Sequence, residues 1–307
     1  MQHQIGSGML VLFATLASAS PASAPIGSQG NDRCNRAWLI SAQRQAEADF
    51  WMRVAGCLSQ PGGNVGCGIK DAYLDLRDAS AHAATVFKAR ETANALLGPT
   101  PYDPQIVPTE FSSTITNPYF PQVPGRTLVW EKHTAAGLER IENSVLAQTK
   151  LVGGVACRIV REHEKLNGEV VEDTYNWVAQ HQSGAVWYFG ELAMLYDDGT
   201  LNALDGSWRF GKDGARPGIL MQAAPAAGDV YRQEFLLGTA EDIAQVVRTD
   251  AMVQVPAGSF EHCLVIEEWD PLEPLEYLLK FFAPNIGMVL EIDTHSGERT
   301  ELVEIHN

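Results

Sequence analysis

Acidic side chains lie close to aromatic residues in three segments of the second half of the chain, and their carboxyl groups are the groups best suited to chemistry. The three segments are WYFGE (187–191), GSWRFGKDGARPGILM (206–221) and YRQEFLLGTAED (231–242). Two carboxyl groups that face one bond can act as general acid and general base when their surroundings separate their pKa values. Glu191 and Glu234 are therefore a candidate acid/base pair, with Arg232 as the residue that would stabilise developing charge.

The same carboxyl groups could instead hold a divalent metal ion. Glu241 and Asp242 are adjacent and follow Glu234 closely, and a calcium ion takes about six to eight oxygen ligands, more than one loop here can supply. A calcium-type site would therefore combine Glu191, Glu234, Glu241 and Asp242. Two simpler alternatives stay open: an ordinary ion pair between Arg232 and Glu234, and an exposed strand-end position for Glu191.

The glycine-rich segment 206–221 is a candidate ligand-binding loop. Glycines let the backbone approach a ligand closely, and long loops between strands are more often functional than short ones. If 187–191 forms a regular strand, alternation places Glu191 on the same face as Trp187 and Phe189, opposite Tyr188. The residues expected to contact a ligand are aromatic, apolar or charged residues of the three segments: Trp187, Tyr188, Trp208, Asp213, Arg216, Met221 and Tyr231.

Several function classes lack their sequence signatures. The chain has no GxSxG, HExxH or GxGxxG motif, no phosphate-binding P-loop and no EF-hand loop. Its formal net charge of −16 repels a phosphate backbone, so nucleic acid is not an expected partner. The expected partner is a small molecule or a metal ion, and the oligomeric state is left open.

The first 24 residues have the layout of a secretory signal peptide. An apolar run from Met9 to Ala17 is followed by small residues that end in an A-x-A cleavage site at 22–24. The run is too short to span a bilayer. We therefore expect cleavage near Ala24 and a secreted or periplasmic protein that does not span the membrane.

The chain contains five cysteines, an odd number for an oxidising compartment. Cys57 and Cys67 flank a turn-rich loop that could bring them together. Cys157 and Cys263 lie in two strand-like runs that could be neighbours. We expect these two disulfides and a single Cys34, because a helical segment of 23 residues would hold Cys34 far from Cys57.

Hydrophobic periodicity predicts two helices followed by a series of strands. Apolar residues recur at helical spacing over 32–57 and 68–97, which predicts a helical hairpin within 25–97. Prolines are frequent over 98–126 and predict a linker that wraps a surface. From 127 to 307, alternation broken by glycine-containing turns predicts about ten to twelve antiparallel strands. The expected fold class is α+β, with the hairpin followed by an antiparallel β-barrel or strongly curved sheet.

Six motifs between residue 117 and the end of the chain carry a resemblance. They are NPYFPQVPG (117–125), WYFGE (187–191), GSWRFGKDGARPGILM (206–221), YRQEFLLGTAED (231–242), VPAGSF (255–260) and FAPNIGMVLE (282–291). With them the chain resembles a family of uncharacterised bacterial secreted proteins from about residue 34 to its end. The resemblance implies the fold of that family and no assigned activity.

The same resemblance marks three positions at which this chain departs from the family. Relatives tend to carry aspartate where this chain has Asn176 and His181, so a metal held by those aspartates would bind here differently or not at all. They also tend to carry a cysteine in place of Asn94, which would explain the unpaired Cys34. The last fifty residues are also similar to periplasmic curved-sheet proteins that hold apolar or lipid ligands.

These patterns predict an exported β-barrel-like protein that binds a small molecule, an apolar group or a metal ion. Its site is expected at a mouth built from 187–191, 206–221 and 231–242. A secreted carboxylate-dependent hydrolase or lyase that uses Glu191 and Glu234 is the first alternative. The second is a non-catalytic envelope or interaction protein whose helical hairpin forms the partner surface.

Overall fold

The structure is a computed structural model that describes residues 29–59, 68–98 and 100–307. These ranges contain both predicted helices and the whole of the predicted β domain. The predicted signal peptide over 1–24 and the predicted disulfide partner Cys67 lie outside this part of the chain.

Two long helices precede the sheet. Helix α1 spans Gln29–Leu58 and helix α2 spans Ile69–Leu97, and the two pack against each other. The side-chain amide of Asn35 in α1 donates a hydrogen bond of 2.9 Å to the carbonyl of Phe87 in α2. In the described ranges, neither helix is long and apolar enough to cross a membrane.

Residues 100–307 form sixteen strands, all paired antiparallel. In chain order they are β1 (Phe111–Ser112), β2 (Thr127–Thr134), β3 (Gly137–Val152), β4 (Val155–Leu166), β5 (Glu169–His181), β6 (Val186–Asp197), β7 (Thr200–Ala203), β8 (Trp208–Arg209), β9 (Arg216–Met221), β10 (Val230–Arg232), β11 (Glu234–Phe235), β12 (Ile243–Val255), β13 (Gly258–Trp269), β14 (Leu278–Ala283), β15 (Gly287–Asp293) and β16 (Arg299–His306).

Thirteen of these strands form one continuous path that nearly closes into a barrel. The spatial order is β10-β12-β13-β14-β15-β16-β2-β3-β4-β5-β6-β9-β11, and β1, β7 and β8 add to β5 or β6. The predicted fold class, a helical hairpin followed by an antiparallel barrel, is confirmed. The strands outnumber the expected ten to twelve because several are only two to four residues long.

The barrel closes at a seam formed by one short segment of chain. Strands β10 and β11 are separated by Gln233 alone, yet they pair with opposite ends of the sheet, β10 with β12 and β11 with β9. Gly218 of β9 makes this approach possible, because a Cβ there would lie 2.3 Å from the carbonyl carbon of Gln233. Gly218 is therefore required by packing at the seam.

The two faces of the strands carry different clusters. Val160, Val178 and Phe282 belong to a cluster inside the barrel. Trp177 and Phe189 lie on the opposite face and pack with residues of the 98–126 segment, including Phe111. The proline-rich segment thus covers an outer face of the sheet, as a wrapping linker would.

Asn117 of the NPYFP motif anchors this wrap. Its buried side-chain amide donates hydrogen bonds of 3.0 Å to the carbonyls of Gly184 and Gln222, and its side-chain oxygen accepts one from the amide of Tyr119. The following residues, Phe120 to Gln122, reach the barrel interior. In this structure the motif therefore fastens the segment to the barrel.

The predicted Cys157–Cys263 disulfide is wrong. Both thiols are free and buried, because Cys157 is in β4, whose neighbours are β3 and β5, whereas Cys263 is in β13, between β12 and β14. Cys34 is free, as predicted, and it is exposed. Cys57 takes part in a disulfide, but its pairing with Cys67 stays a prediction, since Cys67 lies outside the described residues.

Candidate functional site

The barrel contains a partly open cavity of about 430 Å³, a size typical of small-molecule sites. Part of its wall is apolar, with side chains that include Val145, Val160, Val178, Leu220, Phe282 and Met288. The rest is strongly acidic, with seven carboxyl groups: Glu162, Glu164, Glu191, Glu234, Asp242, Glu268 and Glu291. The site is thus an interior chamber to which most strands of the barrel contribute.

A β-bulge in β6 decides which way Glu191 points. Asn176 pairs with Glu191 and Val178 with Tyr188, so β6 holds one more residue than β5 between the two pairs. Gly190, at φ +130°, lies in this bulge. The expectation that Glu191 shares a face with Trp187 and Phe189 is therefore wrong, because the bulge places it in the cavity with Tyr188.

Glu191 and Tyr188 form one hydrogen-bonded group with Asn176. The Tyr188 hydroxyl contacts the side-chain oxygen of Asn176 and lies 2.8 Å from Oε2 of Glu191. Burial raises the pKa of Glu191 to about 7, although the hydrogen bond from Tyr188 works in the opposite direction. Glu191 therefore changes its charge near neutral pH.

Glu234 lies deeper in the wall, next to the seam. It is buried, it accepts a hydrogen bond from the indole N–H of Trp208, and it shares a side-chain hydrogen bond with Asp242. Burial first, and then the charge of Asp242, raise the pKa of Glu234 well above its usual range. A hydrogen bond between two carboxyl groups requires a proton on one of them.

Two carboxyl groups of β4, Glu162 and Glu164, were missed in the sequence. Glu162 accepts a hydrogen bond of 3.1 Å from the amide of Asn143. Burial, reinforced by neighbouring carboxylates, raises the pKa of Glu164 to about 8. The stretch REHEKL could have indicated them, because strand alternation puts its glutamates on one face and its basic residues on the other.

Lys280 neutralises part of this acidic wall. Its ammonium lies 2.6 Å from Glu268 and 3.4 Å from Glu291, and Glu268 also accepts a hydrogen bond of 2.7 Å from Gln233. Burial alone would lower the pKa of Lys280, but the attraction of the two carboxylates outweighs it and the pKa is raised. Lys280 therefore carries its charge inside the barrel.

Arg232 and Glu241 do not line the cavity. The Arg232 guanidinium lies 4.7 Å from the ring centre of Phe235 and 3.4 Å from the side-chain oxygen of Asn94 in α2. Glu241 accepts two hydrogen bonds, of 2.8 and 2.6 Å, from Arg90 of α2. Both residues therefore connect the helical hairpin to the barrel, and Arg232 does not pair with Glu234.

The other predicted ligand contacts divide into three groups. Trp208, Met221 and Tyr231 are buried in the inner cluster beside the cavity. Trp187 lies in the outer cluster, 6.1 Å from the ring of Phe111. Asp213 and Arg216 are at the surface of the barrel. Asp213 is exposed, and Arg216 forms an ion pair of 2.8 Å with Asp103.

Three of the four predicted metal ligands share the cavity, and the fourth does not. Glu191, Glu234 and Asp242 line the cavity, whereas Glu241 is bonded to Arg90. Within residues 29–59, 68–98 and 100–307, no group of three or more His, Cys, Asp or Glu side chains has the arrangement of a metal site. Asn176 is in the cavity wall, but His181 packs against Phe111 and Glu110.

Comparison with known proteins identifies no family for this chain. No family model and no curated protein match it. Two solved structures are similar: a "putative exported protein with YmcC-like fold" from Bacteroides fragilis (17% identity, TM-score 0.38, covering 62% of this chain and 100% of that one) and a "putative lipoprotein" from Parabacteroides distasonis (13%, 0.36, 62% and 99%). At these TM-scores the similarity carries no functional argument. The resemblance to uncharacterised secreted proteins stays a prediction.

Proposed function

We propose that this chain is an exported protein that binds a small molecule inside its barrel. The observation that carries the proposal is the cavity of about 430 Å³, which has both an apolar and an acidic wall. Export is supported by the signal-like segment over residues 1–24. The predicted site segments contribute Tyr188, Glu191, Leu220, Gln233, Glu234 and Asp242 to the wall of this cavity.

The size of the cavity supports binding over a purely structural role. Protein interiors are packed to the density of organic crystals, with few voids larger than a water molecule. An open chamber loses the stability that packed side chains would provide. A volume of about 430 Å³ lies within the range of small-molecule sites.

Binding is better supported than carboxylate catalysis. An acid/base pair needs one group that holds its proton and one that is ionised at the working pH. Burial raises the pKa of Glu191 to about 7 and that of Glu234 well above its usual range, so the pKa values alone do not decide against such a pair and the position of Arg232 does. Arg232, the expected charge-stabilising residue, contacts α2 and Phe235 outside the cavity.

Titration with N-phenyl-1-naphthylamine, an uncharged probe that fluoresces in apolar surroundings, tests the proposal. We expect saturable binding with one site per chain. Val178→Phe, and independently Val160→Phe, would fill the cavity and weaken binding at least tenfold. Val247→Phe is the matched control, because Val247 is 48% exposed. Failure to bind, or equal binding by all the variants once thermal melts show that they are folded, would refute the proposal.

A further inference from the structure

We propose that the ligand of the barrel cavity is a cationic amphiphile, a small amine with an apolar body. This inference rests on the proposed function and narrows it to one chemical class. The ammonium group would lie among the carboxyl groups of the acidic wall. The apolar body would lie against the valine, phenylalanine and methionine side chains of the other wall.

The carboxyl groups of the wall outnumber its cations. Seven carboxyl groups face the cavity, and the cations that line it are Lys280 and Arg126. Lys280 already forms ion pairs with Glu268 and Glu291. Arg126 donates a hydrogen bond of 3.0 Å to the carbonyl of Asn285. In the described part of the chain, no ion-pair partner faces the remaining five carboxyl groups, which are Glu162, Glu164, Glu191, Glu234 and Asp242.

These carboxyl groups are in contact with the chamber. Glu162, Glu164, Glu191 and Asp242 keep partial exposure although the barrel surrounds them. Carboxylates crowded in a site of low polarity repel one another, and a cation between them would relieve this repulsion. Burial raises the pKa of Glu164 to about 8 and that of Glu191 to about 7, and neighbouring carboxylates add to both shifts.

A second observation, independent of the acidic wall, also indicates a ligand. Trp130 lines the cavity and is 4% exposed, and its indole N–H has no hydrogen-bond partner among the described residues. Nε of Arg126, another lining residue, is also buried without a partner. Native proteins leave few buried donors unpaired, so the two unpaired donors indicate that this part of the chamber takes up a further molecule.

The apolar wall of the cavity indicates that the ligand also has an apolar body. Val145, Val160 and Val178 come from three adjacent strands, and Phe282 and Met288 come from another adjacent pair. A fully charged polar ligand, such as a free metal ion, would leave this surface against water. An amine with an aliphatic or aromatic body covers both walls at once.

Three probes with the same eight-carbon chain and different charge test the inference. Octylamine, octanol and octanoate are used at pH 8 to displace N-phenyl-1-naphthylamine from the full mature chain. We expect octylamine to displace the probe at a concentration at least tenfold lower than octanol, and octanoate to be the weakest. Added salt should reduce this preference only partly, because the charges are inside the barrel.

Two sets of variants test whether the preference for octylamine depends on the carboxyl groups of the acidic wall. Replacing both Glu162 and Glu164 by Gln should remove most of the tenfold preference for octylamine and leave octanol unchanged. Glu169→Gln, which changes an exposed residue of β5, should retain the preference. If the naphthylamine binds but the three probes compete equally, the inference is overturned and the proposed function stands. If the naphthylamine and all three probes fail to bind, both are overturned.

Discussion

The carboxyl groups inside the barrel predict that the unliganded protein loses stability as the pH rises. Glu164 has an ordinary pKa of 4.5, and in the folded protein it is raised to about 8. Between these two values the folded state holds a proton that the unfolded chain has released. The free energy of unfolding therefore falls with rising pH across this window. The part of it that comes from protonated Glu164 is fully present near pH 5 and is mostly lost by pH 8.

The size of the effect follows from the shift. A difference of about 3.5 pH units corresponds to an upper limit of about 5 kcal/mol for one carboxyl group, at about 1.4 kcal/mol per unit. Glu164 keeps some solvent contact, and its titration is shared with Glu162 and Glu172. We therefore expect a contribution of about 2 kcal/mol after solvent screening.

Glu164→Gln isolates this contribution, because glutamine has the same shape and cannot ionise. The variant should match the wild type within about 0.5 kcal/mol at pH 5 and exceed it by about 2 kcal/mol at pH 8. Urea unfolding at pH 5, 6, 7 and 8 measures both values. Glu169→Gln is the control, since Glu169 is exposed at the start of β5. An advantage that is equal at pH 5 and pH 8, or a wild-type stability that does not change with pH, would refute the reasoning.

Two further predictions concern the attachment of the hairpin and the bulge in β6. Glu241→Ala leaves Arg90 buried without its partner and should lower the free energy of unfolding by about 3–5 kcal/mol. Asp75→Ala, which breaks an exposed ion pair, should cost at most about 1 kcal/mol in the same urea experiment, and equal costs would contradict the assignment. Gly190→Ala puts a Cβ 2.4 Å from the carbonyl oxygen of Trp208, and it should lower the melting temperature far more than Gly199→Ala, where positive φ is the only penalty. Similar melting temperatures for the two variants would show that the bulge can relax.

The broad architecture was predictable because it depends on local patterns. Helical spacing of apolar residues marked α1 and α2, and alternation with glycine turns marked the strands. Both patterns depend only on residues that are close together in the sequence, so they can be recognised without knowing which distant residues are in contact. The aromatic and acidic composition of 187–191 and 231–242 likewise drew attention to Glu191, Glu234 and Asp242, which do line the cavity.

The site itself was only partly predictable. Arg232 and Glu241 carry charges that could serve catalysis or metal binding, but α2 packs against them and uses both in attaching the hairpin. The Cys157–Cys263 pairing failed because the order of strands around the barrel cannot be read from the similarity of two strand-like runs. Such choices depend on which elements become neighbours, and that information is non-local.

The sequence by itself determined a helical hairpin, an antiparallel β domain and a strongly acidic chain with signal-like residues at its start. The tertiary structure decided which carboxyl groups share one chamber. A single extra residue in β6 turns Glu191 inward, because side chains on a strand alternate with a period of two. Closure at Gln233 then brings Glu234 and Asp242 into the same chamber as Glu162 and Glu164, which lie about seventy to eighty residues earlier in the chain.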